Sequence, residues 1–179
     1  YLVMYLLEGK NVFKTGSGNM GATNVLMNSS KLNGFLVGLL DVFKGWLSCW
    51  IVLQLINDAW LAFLMGGVFA VLGHNFSLFM GFRGGKGIAV TVGSLIFINS
   101  LIALSFALVT VLHRVVWVKL RLHELEVVEV MARLLVNSLI IYSLTPSLII
   151  PALLLQSLTV LKYVVNGELS KRFDFNKVV

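Results

Sequence analysis

Two short stretches hold most of the side chains that could handle an anion. The first is Lys14-Thr15-Gly16-Ser17-Gly18-Asn19-Met20-Gly21-Ala22-Thr23-Asn24. Its glycines let a backbone approach a ligand closely, and successive free N–H groups form an anion-binding nest. Ser17, Asn19, Thr23 and Asn24 add neutral hydrogen-bonding groups. A plain polar loop between helices is the competing reading, but such loops rarely concentrate donors this densely. The second stretch begins at Gly73-His74-Asn75-Phe76 and continues through Phe79-Met80-Gly81-Phe82-Arg83-Gly84-Gly85-Lys86-Gly87. A glycine-rich turn bearing Arg83 and Lys86 runs straight into an apolar segment. The start of a helix there offers unpaired N–H groups and a partial positive charge, which suits a phosphate or an acyl phosphate.

The second stretch is not a nucleotide-triphosphate loop. That loop needs Gly, four residues, then Gly-Lys followed by Ser or Thr. Here Met80 stands at the first glycine position, and Gly87 follows Lys86. Between the stretches, Asp41 and Lys44 are three apart and fall on one helical face. Ionisable groups within an apolar span are costly and face an interior site or each other. His74 beside the glycine turn reads equally as a structural histidine or a site residue. His113 and His123 lie among Glu124, Glu126 and Glu129 without any recognised metal-ligand spacing, so no metal is expected. The residues around His113–Glu129 read as a solvated helix end.

These residues need elements to position them, and the composition says which kind. The chain of 179 residues is 58% hydrophobic and only 12% charged. A soluble domain carries about 25% charged residues, so there is too little polar surface for a water-soluble globule. A bilayer span takes about 20 apolar residues. Leu32–Ile56 and Ala59–Met80 are such runs; Gly87–Ile98 is apolar but short, the apolar character resumes over Leu101–Val118, and a long last block covers Val130–Val165. Thr145-Pro146 divides that block in two. Tyr1–Leu7 reads as the end of a further helix whose start lies outside the sequence. The expected fold is therefore an all-α integral membrane protein, a polytopic bundle of about seven transmembrane helices with the first truncated, forming one membrane domain over residues 1–179. No clear internal repeat is present, which argues against a small-solute transporter. Cys49 is the single cysteine, so no disulfide forms, and it is read as a small lipid- or core-facing residue.

The net charge of +6 follows from 14 Lys and Arg against 8 Asp and Glu. On a membrane protein it reads as basic loops on the cytoplasmic side rather than a nucleic-acid surface. The turns at Asn57-Asp58, Asn99-Ser100 and Thr145-Pro146 carry no basic residue. The other side collects Lys10, Lys14 and Lys31, then Arg83 and Lys86, then Arg114, Lys119 and Arg121, then Lys162, Lys171, Arg172 and Lys177. The expected orientation places Glu8–Lys31, Gly81–Lys86, Arg114–Glu129 and the C-terminus in the cytoplasm.

The motifs carry a specific resemblance. Gly16-Ser17-Gly18-Asn19-Met20-Gly21-Ala22-Thr23-Asn24 resembles the first motif of the bacterial acyl-phosphate:glycerol-3-phosphate acyltransferases, the PlsY family. Asp41-Val42-Phe43-Lys44-Gly45 is similar to the Asp-x-x-Lys-Gly stretch that follows it. Gly73–Phe76 through Phe82-Arg83-Gly84-Gly85-Lys86-Gly87-Ile88-Ala89 resembles the second motif, and Asn166-Gly167-Glu168 resembles the family's ending. The likeness is strong over residues 8–100 and weak beyond.

The resemblance implies a seven-helix enzyme of phospholipid synthesis with its site at the cytosolic membrane boundary. It would move a fatty acyl group from acyl phosphate to the 1-hydroxyl of glycerol 3-phosphate, giving lysophosphatidic acid and phosphate, with no cofactor. Its partners would be those two substrates and membrane lipids, with no nucleic acid, and a monomer suffices. On that reading Lys86, with the amides of Gly84, Gly85 and Gly87 and the charge of Arg83, binds phosphate. Gly16, Ser17, Gly18, Asn19, Gly21, Thr23 and Asn24 complete the pocket, with Asp41 and Lys44 beside it. Lys86, His74, Ser17 and Asn19 are the catalytic candidates, and either His74 or a substrate phosphate accepts the hydroxyl proton. Three positions depart from the pattern. Met27 stands where an Arg is usual. Neither Arg121 nor Arg133 is followed by the Ser of an Arg-x-x-Ser motif. Residues around Thr159–Lys162 replace a His-Arg-Glu-Asn run. An alternative reading follows: a non-catalytic paralogue that binds acyl phosphate or a lipid phosphate.

Overall fold

A computed structural model describes residues 1–119 and 126–172. Among these described residues eight α-helices follow in order: α1 (Leu2–Glu8), α2 (Ala22–Asn28), α3 (Lys31–Ile56), α4 (Ala59–Asn75), α5 (Ile88–Ile98), α6 (Ser100–Lys119), α7 (Glu126–Leu144) and α8 (Ile149–Arg172). Among the described residues there is no strand. Three helical segments, Lys31–Ile56, Ala59–Met80 and Pro146–Val165, are long and apolar enough to cross a membrane. Ile88–Ile98, Ser100–Val116 and Met131–Leu144 are shorter apolar helices. The chain forms two compact units, Tyr1–Ala103 and Leu104–Val179.

In the first unit, local signals set the helix ends. The Ser30 side chain accepts from the Asn33 N–H and starts α3, and the Asp58 carboxylate does the same for α4 through Leu61. These groups satisfy amides that the first helical turn leaves without partners. Asn57 closes α3 in the left-handed region, at φ 50°. The two-residue turn at Asn57-Asp58 is thus built as its residue types require. The apolar run to Met80 is not one helix. Helix α4 stops at Asn75, and Leu78–Met80 forms a separate 3-10 turn.

Small residues let these helices touch. A Cβ added at Gly45 of α3 would lie 2.1 Å from the Val90 carbonyl oxygen of α5, and one at Gly93 of α5 would lie 1.9 Å from the Val42 carbonyl oxygen of α3. Lipid gives little hydrophobic drive for helix association, so close backbone packing of this kind carries much of the attraction. Ser48 adds a hydrogen bond from its hydroxyl to the Gly66 carbonyl of α4, at 2.9 Å. Cys49 is fully buried against the same helix, which settles it as core-facing. At 1.5 Å per residue, α3 runs for about 39 Å, α4 for about 26 Å and α5 for about 17 Å. The shorter helices end part-way along α3. The polar loop joining them is therefore held against the middle of a long helix rather than at its tip.

In the second unit, α7 and α8 pack as a hairpin through the 3-10 turn Pro146–Leu148. The break falls at Thr145-Pro146, where the residue types call for it. The faces in this unit are not purely apolar: Arg133, Asn137, Gln156, Thr159 and Lys162 are all buried.

Candidate functional site

The first polar stretch is a compact loop tied from within. A 3-10 turn over Val12–Lys14 is capped by the Asn11 side chain, and the Thr15 hydroxyl donates to the Asn11 carbonyl at 2.9 Å. Gly16 and Gly18 turn the chain through the left-handed region, at φ 56° and 66°. Asn24 is buried and spends its amide inside the loop. Its Oδ1 accepts from the Ser17 N–H at 3.0 Å, and its Nδ2 donates to the carbonyls of Thr15 and Asn19. Asn28, which sequence reasoning did not single out, donates to the Asn24 carbonyl and Oδ1. Asn19 Oδ1 accepts from the N–H of Gly21, the residue that opens α2. The Asn24 amide is thus committed to shaping the loop. Ser17 and Thr23 are the exposed hydroxyls of the stretch.

The second stretch folds back on the end of α4. The Gly85 N–H donates to the His74 carbonyl at 3.1 Å. A Cβ at Gly84 would lie 2.0 Å from that same oxygen, and one at Gly85 would lie 2.0 Å from His74 Nε2. Gly87, at φ 80°, opens α5. The glycines therefore serve first to bring the loop backbone against His74, and the Gly85 amide is used in doing so. Lys86 sits between them, partly buried, and Arg83 is exposed.

Beneath this loop three charged or titratable groups converge. The Asp41 carboxylate lies 2.6 Å from Lys44 Nζ, and the same ammonium lies 2.6 Å from His74 Nδ1. His74 Nδ1 is also 3.5 Å from Asp41 Oδ1. The helical spacing reveals the Asp41–Lys44 pair, but the third member arrives from 30 residues away. A lysine ammonium only donates hydrogen bonds. With Lys44 donating to Nδ1, the ring proton of neutral His74 belongs on Nε2, the nitrogen facing Gly85.

The two stretches meet at a residue with no motif signal. The Arg83 guanidinium stands 5.8 Å from the centre of the Phe13 ring, within the range of a cation–π contact. The Phe13 carbonyl lies 3.1 Å from where a Gly18 Cβ would be. Phe13 thus links the loop of Ser17–Asn24 to that of Arg83–Gly87. Nearby, the Glu8 carboxylate accepts from Ser29 and Asn33 and pairs with Lys10 at 2.9 Å. Hydrogen bonds from Ser29 and Lys10 pull its pKa down to about 2.

In the second unit Arg133 stands 6.0 Å from the Tyr163 ring. Thr159, buried, donates to the Leu155 carbonyl. Arg121, His123 and Glu124 lie outside the described residues. Met27 is exposed. Among the described residues no group of three or more His, Cys, Asp or Glu side chains is placed to hold a metal ion.

Comparison with known proteins gives this geometry its context. A family model described as glycerol-3-phosphate acyltransferase matches residues 1–169. A glycerol-3-phosphate acyltransferase of Wolbachia (the Brugia malayi strain) is 40% identical over 108 residues, which are 60% of this chain and 56% of that protein. One from Thermus thermophilus is 43% identical over 98 residues, 54% of this chain and 48% of that protein. The chain spans about half the length of these curated relatives. A crystal structure of PlsY (YgiH), an integral membrane glycerol 3-phosphate acyltransferase in its glycerol 3-phosphate form, superposes with a TM-score of 0.71. It is 27% identical and covers 93% of this chain and 82% of that one. The lysophosphatidic acid form gives 0.70 at 28% identity, covering 96% and 84%. The helices and glycine loops thus build an all-α integral membrane fold of the PlsY type, and the chain belongs to the glycerol-3-phosphate acyltransferase family.

Proposed function

We propose that the protein transfers a fatty acyl group from acyl phosphate to the 1-hydroxyl of glycerol 3-phosphate, releasing lysophosphatidic acid and inorganic phosphate. It does so as one membrane domain at the cytoplasmic face of a bacterial plasma membrane, in phospholipid synthesis. The observation that carries this reading is the convergence of the two glycine-rich loops. Arg83 bridges to Phe13 beneath the first loop, and His74 braces the second.

The chemistry asks little covalent work of the protein. Acyl phosphate is a mixed anhydride and already activated. The glycerol hydroxyl oxygen bonds to the acyl carbon, the carbon–oxygen bond to phosphate breaks, and phosphate leaves with that electron pair. Both substrates are anions and repel each other. The main task is to hold them together and to stabilise the negative charge that develops on the carbonyl oxygen. Lys86 and Arg83 supply the compensating charge, with the backbone of Gly84 and Gly87 close beside them. Ser17 and Thr23, exposed on the first loop, would complete the pocket, with Gly16, Gly18, Asn19 and Gly21 shaping the backbone around them. With Lys44 donating to His74 Nδ1, the hydroxyl proton passes to a substrate phosphate, and His74 holds the loop. Asp41 and Lys44 then act through His74.

A second reading is favoured by Met27 and by Thr159–Lys162, which replace polar residues expected for the acceptor. It makes the protein a binder of acyl phosphate without turnover. Purified protein supplied with palmitoyl phosphate and glycerol 3-phosphate separates the two. The acyltransferase reading predicts lysophosphatidic acid, reduced about 100-fold or more by Lys86→Ala, the scale of losing one preorganised charge contact. Donor binding with no product above the Lys86→Ala background supports the binder instead.

A further inference from the structure

The α7–α8 hairpin buries polar side chains that the glycine-loop chemistry does not use. Arg133, Asn137 and Ile141 are spaced four apart and share one buried face of α7. Ala152, Gln156, Thr159 and Lys162 share a buried face of α8. The two helices run antiparallel from the Pro146–Leu148 turn and pack together. Counting outward from that turn, Ile141 lies level with Ala152, Asn137 with Gln156, and Arg133 with Thr159 and Val160. The Arg133 guanidinium, 6.0 Å from the Tyr163 ring, fits this register. At about 1.5 Å per residue, the two amides stand about 10 Å from the helix ends at the turn, and Arg133 about 16 Å. Both depths fall inside an apolar bilayer core of about 30 Å.

Asn137 is 1% exposed and Gln156 2%, yet the amide oxygen and nitrogen of both have no hydrogen-bond partner. Level with one another, they still do not bond to each other. Unpaired buried amides are costly, and an apolar side chain of similar size would leave nothing unpaired there. Arg133 and Lys162 add one buried cationic side chain from each helix, and ionisable groups at membrane depth mark sites. Guanidinium and ammonium groups only donate hydrogen bonds, and each amide adds an NH2 donor. Thr159 spends its hydroxyl on the Leu155 carbonyl, so it lines the face without adding a donor. The set is rich in donors, carries two positive charges and includes no carboxylate. Its match is a tetrahedral dianion. We infer that the α7–α8 hairpin holds an oxyanion site for orthophosphate or the phosphate monoester of a lipid headgroup. Arg133 and Lys162 supply its charge, and Asn137 and Gln156 its neutral hydrogen bonds. Lys162 falls where this chain departs from the family pattern, so the site is the chain's own. It belongs to the second unit, whereas the glycine loops belong to the first, and it does not depend on their turning over acyl phosphate.

The test titrates full-length protein with orthophosphate by calorimetry in a Lys86→Ala background, which removes the glycine-loop contact. Orthophosphate is expected to bind this parent still. Asn137→Leu combined with Gln156→Leu should weaken that binding by roughly tenfold or more, the scale of a lost hydrogen bond to a charged group. Lys162→Gln should weaken it at least as much, and Lys162→Arg should retain it. A parallel titration uses dioctanoyl phosphatidic acid. Tighter binding of the lipid identifies a headgroup as the occupant, and tighter binding of orthophosphate identifies the free ion. The paired leucines remove unpaired amides, so the empty variant should melt no lower than its parent while losing the stabilisation by phosphate. Should that variant fail to fold, Lys162→Gln against Lys162→Arg carries the comparison. Equal phosphate affinity in the parent and the folded variants overturns the inference. So does the absence of phosphate binding in the Lys86→Ala protein, which would leave the amides to buried water. Chloride competing on equal terms with phosphate also overturns it, since a site built for a dianion discriminates between them.

Discussion

Two glycines of one loop answer to different constraints. Gly84 has the His74 carbonyl oxygen where a methyl would go, at 2.0 Å. Gly81 has open space there but sits at φ 60°. Alanine at Gly81 costs roughly 1–2 kcal/mol of left-handed strain and leaves the loop in place. Alanine at Gly84 overpacks against backbone, a cost of roughly 1–3 kcal/mol, and pushes the loop off His74. Thermal unfolding and turnover measured together should show both variants less stable but only Gly84→Ala with activity lost. Equal activity in the two would remove the bracing role given to His74. At this scale the sequence shows which residue types are present and not what they spend themselves on. Asp41 and Lys44 are legible because i,i+3 neighbours on a helix must meet. Asn24 and Gly85 look like ligand groups in a motif, and folding consumes their hydrogen bonds inside the protein. Phe13 carries no polar signal, so its role under Arg83 emerges only from the packed structure.

Among the elements, the apolar runs translate closely into helices because length and hydropathy alone decide them. The turns at Asn57-Asp58, Asn99 and Thr145-Pro146 fall where capping and breaker residues stand; Asn99, for example, accepts from the N–H groups of Leu101 and Ile102. Two features escape such reading. Helix α2 lies inside what looks like a polar loop, because Ala22–Asn28 has no long apolar stripe to announce it. Helix α4 ends before its apolar run does, since the glycine loop folding back on His74 competes for the same stretch. The end of α1 is tied to the α2–α3 junction by Glu8, and this tie is acid-sensitive. Its folded-state pKa is about 2 against an ordinary 4.5. A carboxylate held down in the fold stabilises above its unfolded pKa and loses that contribution as pH falls toward the folded value. The melting temperature should therefore drop between pH 4.5 and pH 2 by more in the unaltered protein than in Glu8→Gln. Parallel pH profiles would show that the carboxylate contributes nothing.

For the molecule as a whole, its all-α membrane class follows from the scarcity of charge, and its family from two motifs held in order along one chain. The buried Arg133, Asn137, Gln156, Thr159 and Lys162 of the second unit do not stand out in sequence, where they read as scattered polar residues in apolar helices. Two of the three departures from the family pattern fall in that same half of the chain, Met27 being the exception, while the glycine loops all belong to the first unit. The central claim, acyl transfer from acyl phosphate, is tested most directly by product stoichiometry. Full-length protein in liposomes would be given labelled palmitoyl phosphate and glycerol 3-phosphate, with palmitoyl-CoA as the alternative donor. The account predicts lysophosphatidic acid and inorganic phosphate appearing in equal amounts from palmitoyl phosphate, with none from palmitoyl-CoA. Phosphate released without lysophosphatidic acid, or no product from either donor, would contradict it.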